Sequence, residues 1–177
     1  MYSISADLDN PGRAGLGLRP GIAGVIVAEG SFLGGFSLYV EEGRLKHTYS
    51  FLGLKLDTIT SRDELPKGKV NVRYEFTADK PGEFATSGTG RLFINGKQEA
   101  EGKLEHTVPL RFTAYEGMDI GTDNGLPVVP KLGYAKVLPK YFQGTIERVQ
   151  FELGPSKATT EDLKRMYLER VASALRN

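Results

Sequence analysis

From Gly24 to Leu153 the chain is a succession of short runs in which apolar and polar residues alternate, each closed by Gly, Pro, Asn or Asp. Residues 90–97 and 142–153 show this alternation most clearly. A period of two is typical of half-buried antiparallel strands, because successive side chains point to opposite faces of a sheet. The pattern therefore predicts an all-β protein, built as a two-sheet antiparallel β-sandwich.

The alternating runs and the turn residues between them locate the individual elements. Glu41-Glu42-Gly43 predicts a hairpin, and Asn95-Gly96 is the strongest turn signal, because a type I′ turn requires a positive φ at both central residues. The Gly- and Pro-rich residues 10–21 and the segment 115–141 are predicted to be irregular. Strands are predicted at residues 2–8, 24–30, 36–40, 44–51, 54–61, 70–77, 109–114 and 144–153, with 97–104 as a charged strand near a sheet edge.

The end of the chain has a different pattern. Thr159-Thr160-Glu161-Asp162 offers a capping hydroxyl and first-turn acids, and apolar residues then recur at helical spacing. We predict a sandwich over residues 1–154 and an amphipathic helix over 155–177. The helix either packs on its own sandwich or docks on a neighbouring domain. The residues proposed for docking are Leu163, Met166, Tyr167 and Val171.

Composition narrows the classes of partner. Among 177 residues, 40% are hydrophobic and 25% are charged, which is ordinary for a soluble globular domain. The 23 basic and 22 acidic residues nearly cancel and form no basic stripe, so we expect no nucleic-acid partner. No apolar run reaches the roughly 20 residues of a membrane span, so we expect neither a membrane segment nor a signal peptide in this chain. The absence of cysteine excludes disulfides and thiolate metal sites.

The order of the strand motifs resembles a known architecture. Residues 36–40, 72–76, 92–97 and 142–146 follow one another as in laminin-G and concanavalin A-like jelly rolls. Residues 24–30, 36–40, 49–54 and 119–128 are similar to the C-terminal region of large bacterial arylsulfatases. That second resemblance extends over essentially the whole chain, with its motifs in order.

The arylsulfatase resemblance implies a function without catalysis. Enzymes of that family use a formylglycine made in a Cys/Ser-x-Pro/Ala-x-Arg motif, and this chain contains no such motif. We therefore expect no catalytic residue and no enzyme activity in this chain. The resemblance implies an accessory C-terminal domain that packs on a sulfatase catalytic domain in the same polypeptide and shapes its pocket. The alternative is a free-standing carbohydrate-binding module, and a glucanase-type enzyme is a weaker third.

One loop carries a candidate metal site. Asp119, Asp123 and Asn124 lie in a Gly-rich segment and offer the oxygen ligands that Ca²⁺ prefers. Calcium is the one cofactor that the sequence suggests. The alternative is that these side chains cap backbone N–H groups in turns. We favour the turn interpretation, because calcium takes six or more oxygens.

Tyrosines offer a candidate sugar platform. The chain has no Trp, the ring that stacks on sugars most often, and Tyr115, Tyr134 and Tyr141 lie in or beside the irregular segment where a binding site is expected. These three residues are the proposed carbohydrate ligands.

Other chemically suggestive residues are assigned to structure. Glu99 and Glu101 share the spacing of glucanase acids, but a solvated edge strand is the favoured interpretation. His47 and His106 have no partner motif, and we expect both on the surface or on a strand face. The residues expected in the core include Phe93, Phe112, Phe142 and Phe151.

Overall fold

The computed structural model describes residues 1–12, 21–81, 83, 85–109, 112, 116–131, 141–154, 159–161, 164, 168 and 172. Within these residues the chain forms strands that cover most of the predicted runs. In chain order they are β1 Tyr2–Asn10, β2 Gly24–Ser31, β3 Gly34–Glu41, β4 Arg44–Phe51, β5 Lys55–Glu64, β6 Gly68–Ala78, β7 Gly88–Ile94, β8 Lys97–Leu104, β9 Met118–Ile120 and β10 Thr145–Leu153.

The strands form two antiparallel five-stranded sheets. The first sheet has the order β10-β1-β6-β7-β8, and the second has the order β5-β4-β3-β2-β9. Each sheet buries one face against the other, which is why the strands alternate between apolar and polar positions. The prediction of an all-β, two-sheet sandwich is confirmed.

The main core lies between the two sheets and follows the predicted alternation. On β1 and β6 every second residue points inward, while residues such as Asp7 and Asn71 face outward on the first sheet. The largest side chains that are fully buried include Ile4, Leu8, Leu38, Leu45, Tyr74, Leu92 and Leu104. At about 25 cal/mol per Å² of apolar surface, this burial is the principal force that holds the sheets together.

A smaller apolar cluster lies on the outer face of the second sheet. Val128 and Val129 pack there against Val25, Ala28 and Tyr39. This cluster explains why β2 is apolar on both faces. The segment after β9 therefore has a packing role as well as a connecting one.

The two predicted turns have the expected geometry. Glu42 and Gly43 have φ of 54° and 77°, and Asn95 and Gly96 have φ of 49° and 79°. Positive φ at both central residues gives the turn the right-handed twist of the strands that it joins. Both hairpin predictions are confirmed.

Several predictions of detail differ from the structure. Strand β9 lies in the segment predicted to be irregular, because three residues are too few for a visible alternation. Phe93 is not in the core, since Leu92 and Ile94 take the inward positions and Phe93 lies on the outer face under the Arg73 guanidinium, at 4.5 Å. Phe142 is buried, and Phe112 and Phe151 pack against the core. Most of the strand predicted at 109–114 lies outside the described residues, as do the four proposed docking residues of the C-terminal helix.

His47 lies on a strand face, which is one of the two positions predicted for it, and it is fully buried between the sheets. Its ring stacks on Tyr74 at a centroid distance of 3.5 Å and on Phe36 at 5.9 Å. Neither ring nitrogen has a hydrogen-bond partner among the described residues, and burial lowers the pKa of His47 to about 3. The imidazole is therefore a neutral member of the core. His106 is exposed.

Candidate functional site

One edge of the sandwich is formed by residues 116–128 and 141–144, which we call the β9 rim. Main-chain hydrogen bonds hold it together. Gly121 donates its N–H to the Ile26 carbonyl at 2.9 Å and accepts from the Phe142 N–H at 3.0 Å. Gln143 N–H donates to the Ala23 carbonyl at 3.0 Å. The segment after β9 and the segment before β10 therefore meet at one point beside the start of β2.

The acidic residues of this rim are occupied in turn contacts. Asp119 accepts the Asn124 backbone N–H at 2.8 Å and the Asn124 side-chain amide at 3.2 Å. Asp123 is buried and accepts the Val128 N–H at 3.0 Å. These are the contacts that the turn interpretation anticipated.

The calcium interpretation stays a prediction. Asp119 and Asn124 are in contact, whereas Asp123 is directed at the following turn. Within the described part of the chain, no group of three or more acidic or histidine side chains is arranged to hold a metal ion.

Tyr141 is the one proposed sugar-binding tyrosine that the structure describes, since Tyr115 and Tyr134 lie outside the described residues. It forms a single bridge with Val25, and its side chain is 65% exposed. The next residue, Phe142, is buried and anchors this segment on Gly121. Tyr141 thus belongs to the same rim as Asp119 and Asn124, and the main chain of the residue after it contacts the turn that contains them.

The opposite edge, where the two sheets meet through β5 and β8, has a second constellation. We call it the β5–β8 edge (residues 61–64 and 97–101). Both strands are irregular there. On β5, Ser61 to Asp63 lie opposite Leu45 alone, and on β8, Glu99 has no partner between the pairs Phe93–Gln98 and Leu92–Ala100. Bulges of this kind redirect side chains, and they are frequent next to functional sites.

The redirected side chains join the two sheets. Arg62 donates from Nε to the Glu99 carbonyl at 3.0 Å and from Nη2 to the Gln98 carbonyl at 3.2 Å. Glu99, whose side chain is 2% exposed, accepts the Asp63 N–H at 3.1 Å and pairs with Lys97 at 2.9 Å. The Lys97 ammonium holds the pKa of the Glu99 carboxyl below its ordinary value, and that carboxylate raises the pKa of Lys97.

This arrangement corrects the interpretation of Glu99 and Glu101 as a solvated pair. The bulge turns Glu99 toward β5, while Glu101 stays on the outer face and pairs with Arg91 at 2.7 Å. Beside them is an open cleft of about 380 Å³, lined by Arg62, Gln98, Glu99, Ala100 and Glu101.

Sequence reasoning missed Arg62 altogether. Arg62 follows a strand-like run and belongs to no motif, so its position gave no functional signal. The extra residues on β5 and β8 could be inferred only from weak breaks in the alternation. Their effect depends on two strands that are remote in sequence.

Comparison with solved structures identifies the architecture. The fold is similar to mouse laminin α1 chain domains LG4-5, with a TM-score of 0.59, 10% identity, and coverage of 85% of this chain and 35% of that one. It is also similar to the CBM40 of the Ruminococcus gnavus IT-sialidase, with a TM-score of 0.57, 15% identity, and coverage of 94% of this chain and 81% of that one. The same CBM40 bound to α2,3-sialyllactose matches with a TM-score of 0.55, 15% identity, and coverage of 94% and 80%.

These likenesses define the class of fold. The chain is a concanavalin A-like, laminin-G-like β-sandwich, and it spans about a third of the laminin chain that it matches. No protein-family model and no curated protein matches it. Among the described residues, no helix has the length and apolarity needed to cross a membrane.

Proposed function

We propose that this chain is a saccharide-binding domain and that the β9 rim holds the sugar. The observation that carries the proposal is the position of Tyr141. This exposed residue precedes Phe142, whose N–H donates to the carbonyl of Gly121, and Gly121 lies in the turn between Asp119 and Asn124. Aromatic rings and adjacent polar groups are the two components that a sugar site requires, because a pyranose has an apolar face and hydroxyls at its edge.

The Asp119 carboxylate on the rim has further hydrogen-bond acceptor sites. An ionised carboxylate offers about four lone-pair sites. The described contacts of Asp119 use two of them, both to Asn124. Sugar hydroxyls can donate to the remaining sites while the Asn124 turn stays intact. The apolar face of the sugar ring would then stack on the Tyr141 side chain.

The likeness of fold supports the same class of function. The Ruminococcus gnavus CBM40 has been solved with α2,3-sialyllactose bound. At 15% identity the likeness extends to the sandwich alone, so the ligand of this chain has to be established directly.

A glycan-array screen followed by isothermal titration of the best ligand tests the proposal. Tyr141→Ala is expected to weaken binding about tenfold or more, since stacked rings in binding sites are frequent hot spots. The matched control is Leu54→Ala, which removes another exposed apolar side chain (81% exposed) from the loop between β4 and β5. It is expected to bind as the wild type does.

Two results would contradict this proposal. If no saccharide is retained by the wild type, the chain is not a sugar-binding domain. If a saccharide binds equally well to the wild type and to Tyr141→Ala, the sugar site lies elsewhere on the sandwich.

The finer hypothesis, an accessory domain of an arylsulfatase, rests on the sequence resemblance alone. It predicts that Leu163→Asp and Val171→Asp increase the monomer fraction, because the helix would otherwise present an apolar face to a partner domain. Sedimentation velocity measures this fraction. Loss of the fold in both variants would assign the helix to the sandwich itself.

A further inference from the structure

The two ends of the second sheet have turns of opposite character. The turn from β2 to β3 and the turn from β4 to β5 lie at one end, because Gly35 at the start of β3 pairs with Ser50 at the end of β4. The turn from β3 to β4 lies at the other end and is polar, with the sequence Glu42-Gly43. The first two turns are apolar, at residues 32–33 and 52–54. We call these two segments the apolar tips.

The apolar tips form one exposed patch. Leu54 is 81% exposed, Leu52 is 44% exposed and Leu33 is 42% exposed. The tips lie close together, since a Cβ on Gly53 would be 3.3 Å from Leu33 Cδ2 and 3.4 Å from the Phe32 carbonyl oxygen. Exposed apolar residues that are grouped in this way, and not scattered singly, indicate a contact surface.

The backbone of the second tip indicates that its leucine is not required by the fold. Leu52 has a φ of 53° and is followed by Gly53 at 69°. A bulky residue is disfavoured in this left-handed region, where glycine and asparagine are the usual choices. Asn95-Gly96, in a turn at the other end of the molecule, has the same pair of conformations with the residues that such a turn prefers. An unfavourable residue that is also exposed points to a role outside the chain's own packing.

The charges near the tips show what kind of surface they suit. The tips themselves contain no charged residue. Lys55 follows the second tip and pairs with Asp57 at 3.2 Å and with Glu105. Lys103 lies at the same end and pairs with Asp79. Because these ammonium groups already have carboxylate partners, this end of the sandwich is suited to an uncharged apolar phase and not to a strongly anionic surface.

The size and shape of the tips favour a lipid phase over a protein partner. A stable protein interface buries roughly 800 Å² on each side and involves about 20–30 residues of each partner. The tips contain five residues on two adjoining turns, so they form a small projecting surface. A bilayer needs no complementary shape, and its affinity for a protein grows with the apolar area that is inserted.

We infer that the apolar tips insert into the surface of a lipid bilayer and hold this chain there as a peripheral protein. The inference does not depend on the proposed saccharide-binding function. Tyr141 bridges Val25 at the start of β2, whereas Leu33 follows the end of β2, so the two sites lie at opposite ends of the molecule. A contact of this kind needs no membrane-spanning run, which agrees with the sequence prediction of no membrane segment.

A tryptophan probe tests the contact directly, because the chain has no Trp of its own. Leu54→Trp places a single indole on a tip, and the full chain is titrated with phosphatidylcholine vesicles that contain or lack brominated acyl chains. The indole emission is expected to shift to the blue and to be quenched by the brominated lipid. Leu126→Trp is the matched control on the β9 rim, where Leu126 is 40% exposed, and it is expected to show neither change.

The composition of the vesicle and of the buffer separates apolar insertion from attraction of charge. Added phosphatidylserine or high salt is expected to change the partition coefficient of Leu54→Trp by no more than about twofold, since screening affects only electrostatic attraction.

Leu52→Asn separates binding from folding. Asparagine tolerates the left-handed conformation of Leu52, so the melting temperature is expected to stay the same or to rise. Sedimentation with phosphatidylcholine vesicles is expected to show a partition coefficient about tenfold lower, because one inserted leucine is replaced by a polar side chain. Leu126→Asn is the control and is expected to partition within about twofold of the wild type.

Four results would overturn the inference. The tips are not the contact if Leu54→Trp and Leu126→Trp are quenched alike or if neither responds to vesicles. The contact is electrostatic if it requires phosphatidylserine and is lost in high salt. The leucines belong to the chain's own packing if Leu52→Asn and Leu54→Asn both lower the melting temperature by several degrees. The occupant is a second copy of the chain if sedimentation velocity shows a dimer that Leu54→Asn dissociates. The saccharide-binding proposal is unaffected by each of these results, since Tyr141→Ala tests it separately.

Discussion

The two edges of this sandwich are held together by different chemical groups. At the β9 rim, the main-chain N–H of Gly121 bonds to Ile26 of β2, and that of Gln143 bonds to Ala23 before it. The Gln143 side-chain oxygen also accepts the Ala23 N–H. At the β5–β8 edge, the side chains of Arg62 and Glu99 cross between the sheets. A contact between main-chain groups does not depend on the identity of the side chains, which can then face solvent. A contact made by a side chain requires that particular residue. This difference predicts that the exposed side chains of the β9 rim tolerate substitution, whereas replacement of Glu99 at the β5–β8 edge destabilises the fold.

The largest loss of stability is expected at Gly24, because the main chain of the β9 rim packs directly against this residue. Gly24 has a φ of 114°, and an added Cβ would lie 2.3 Å from the Tyr141 carbonyl oxygen and 2.5 Å from Phe142 Cα. Gly24→Ala therefore combines backbone strain with a clash against main chain, and should cost roughly 3 kcal/mol or more in urea unfolding. Gly117→Ala is the control, because a Cβ there meets nothing within 4 Å. Equal stability of the two variants would refute the main-chain description of the rim.

The second effect is a pH dependence of stability that comes from His47, in the core between the two sheets. The pKa of His47 is about 3 in the folded state and ordinarily 6.5, so the unfolded chain binds a proton first as the pH falls. Stability is then complete above pH 6.5 and declines by up to about 1.4 kcal/mol per pH unit toward pH 3. His47→Phe keeps a ring against Tyr74 and should remove this decline between pH 7.5 and 5, where carboxyl groups contribute little. As the pH falls, hydrogen exchange should show an equal loss of amide protection at both edges. Loss of protection at one edge alone would mean that the edges open independently.

The third effect is expected at the β5–β8 edge. Glu99→Ala leaves the Asp63 N–H without its acceptor and Lys97 with Asp63 as its remaining partner, so the melting temperature should fall by a few degrees at pH 7. Because the folded pKa of Glu99 is depressed, its contribution is present above the ordinary value near 4.5 and is lost as the pH falls through the folded value. The difference between Glu99→Ala and the wild type should therefore shrink in acid. A difference that is constant down to pH 3 would contradict the role given to the carboxylate.

The smallest effect is expected on the outer face of the first sheet. Arg148 pairs with Asp7 at 2.8 Å, but both are accessible to solvent, and exposed ion pairs contribute little. Arg148→Gln should melt within error of the wild type. It is the reference against which the Glu99 effect is judged, since both variants remove one member of an ion pair. A loss comparable to that of Glu99→Ala would show that burial is not what makes the β5–β8 pair important.

The strands and the tight turns could be predicted from the sequence because their causes are local. Alternation on β1 and β6 reflects the pleat of each strand, and Asn95-Gly96 is chosen by the φ values of its own turn. The candidate rim was predicted in part for the same reason, since Asp119, Asn124 and Tyr141 stand in a turn-rich segment. Phe93 and Glu99 were misplaced, and the burial of His47 was not predicted, because their environment is set by strands remote in sequence.

What the sequence by itself determined is therefore the class of structure: an all-β chain, its strand faces and its hairpins. The tertiary structure alone decided which residues meet. A bulge shifts every following side chain to the other face, and whether it forms depends on the partner strand. The approach of β5 to β8 brings Arg62 to the carbonyls of Gln98 and Glu99 across 36 and 37 positions of the chain. No local pattern encodes that contact, because its stability comes from the packing of the two sheets.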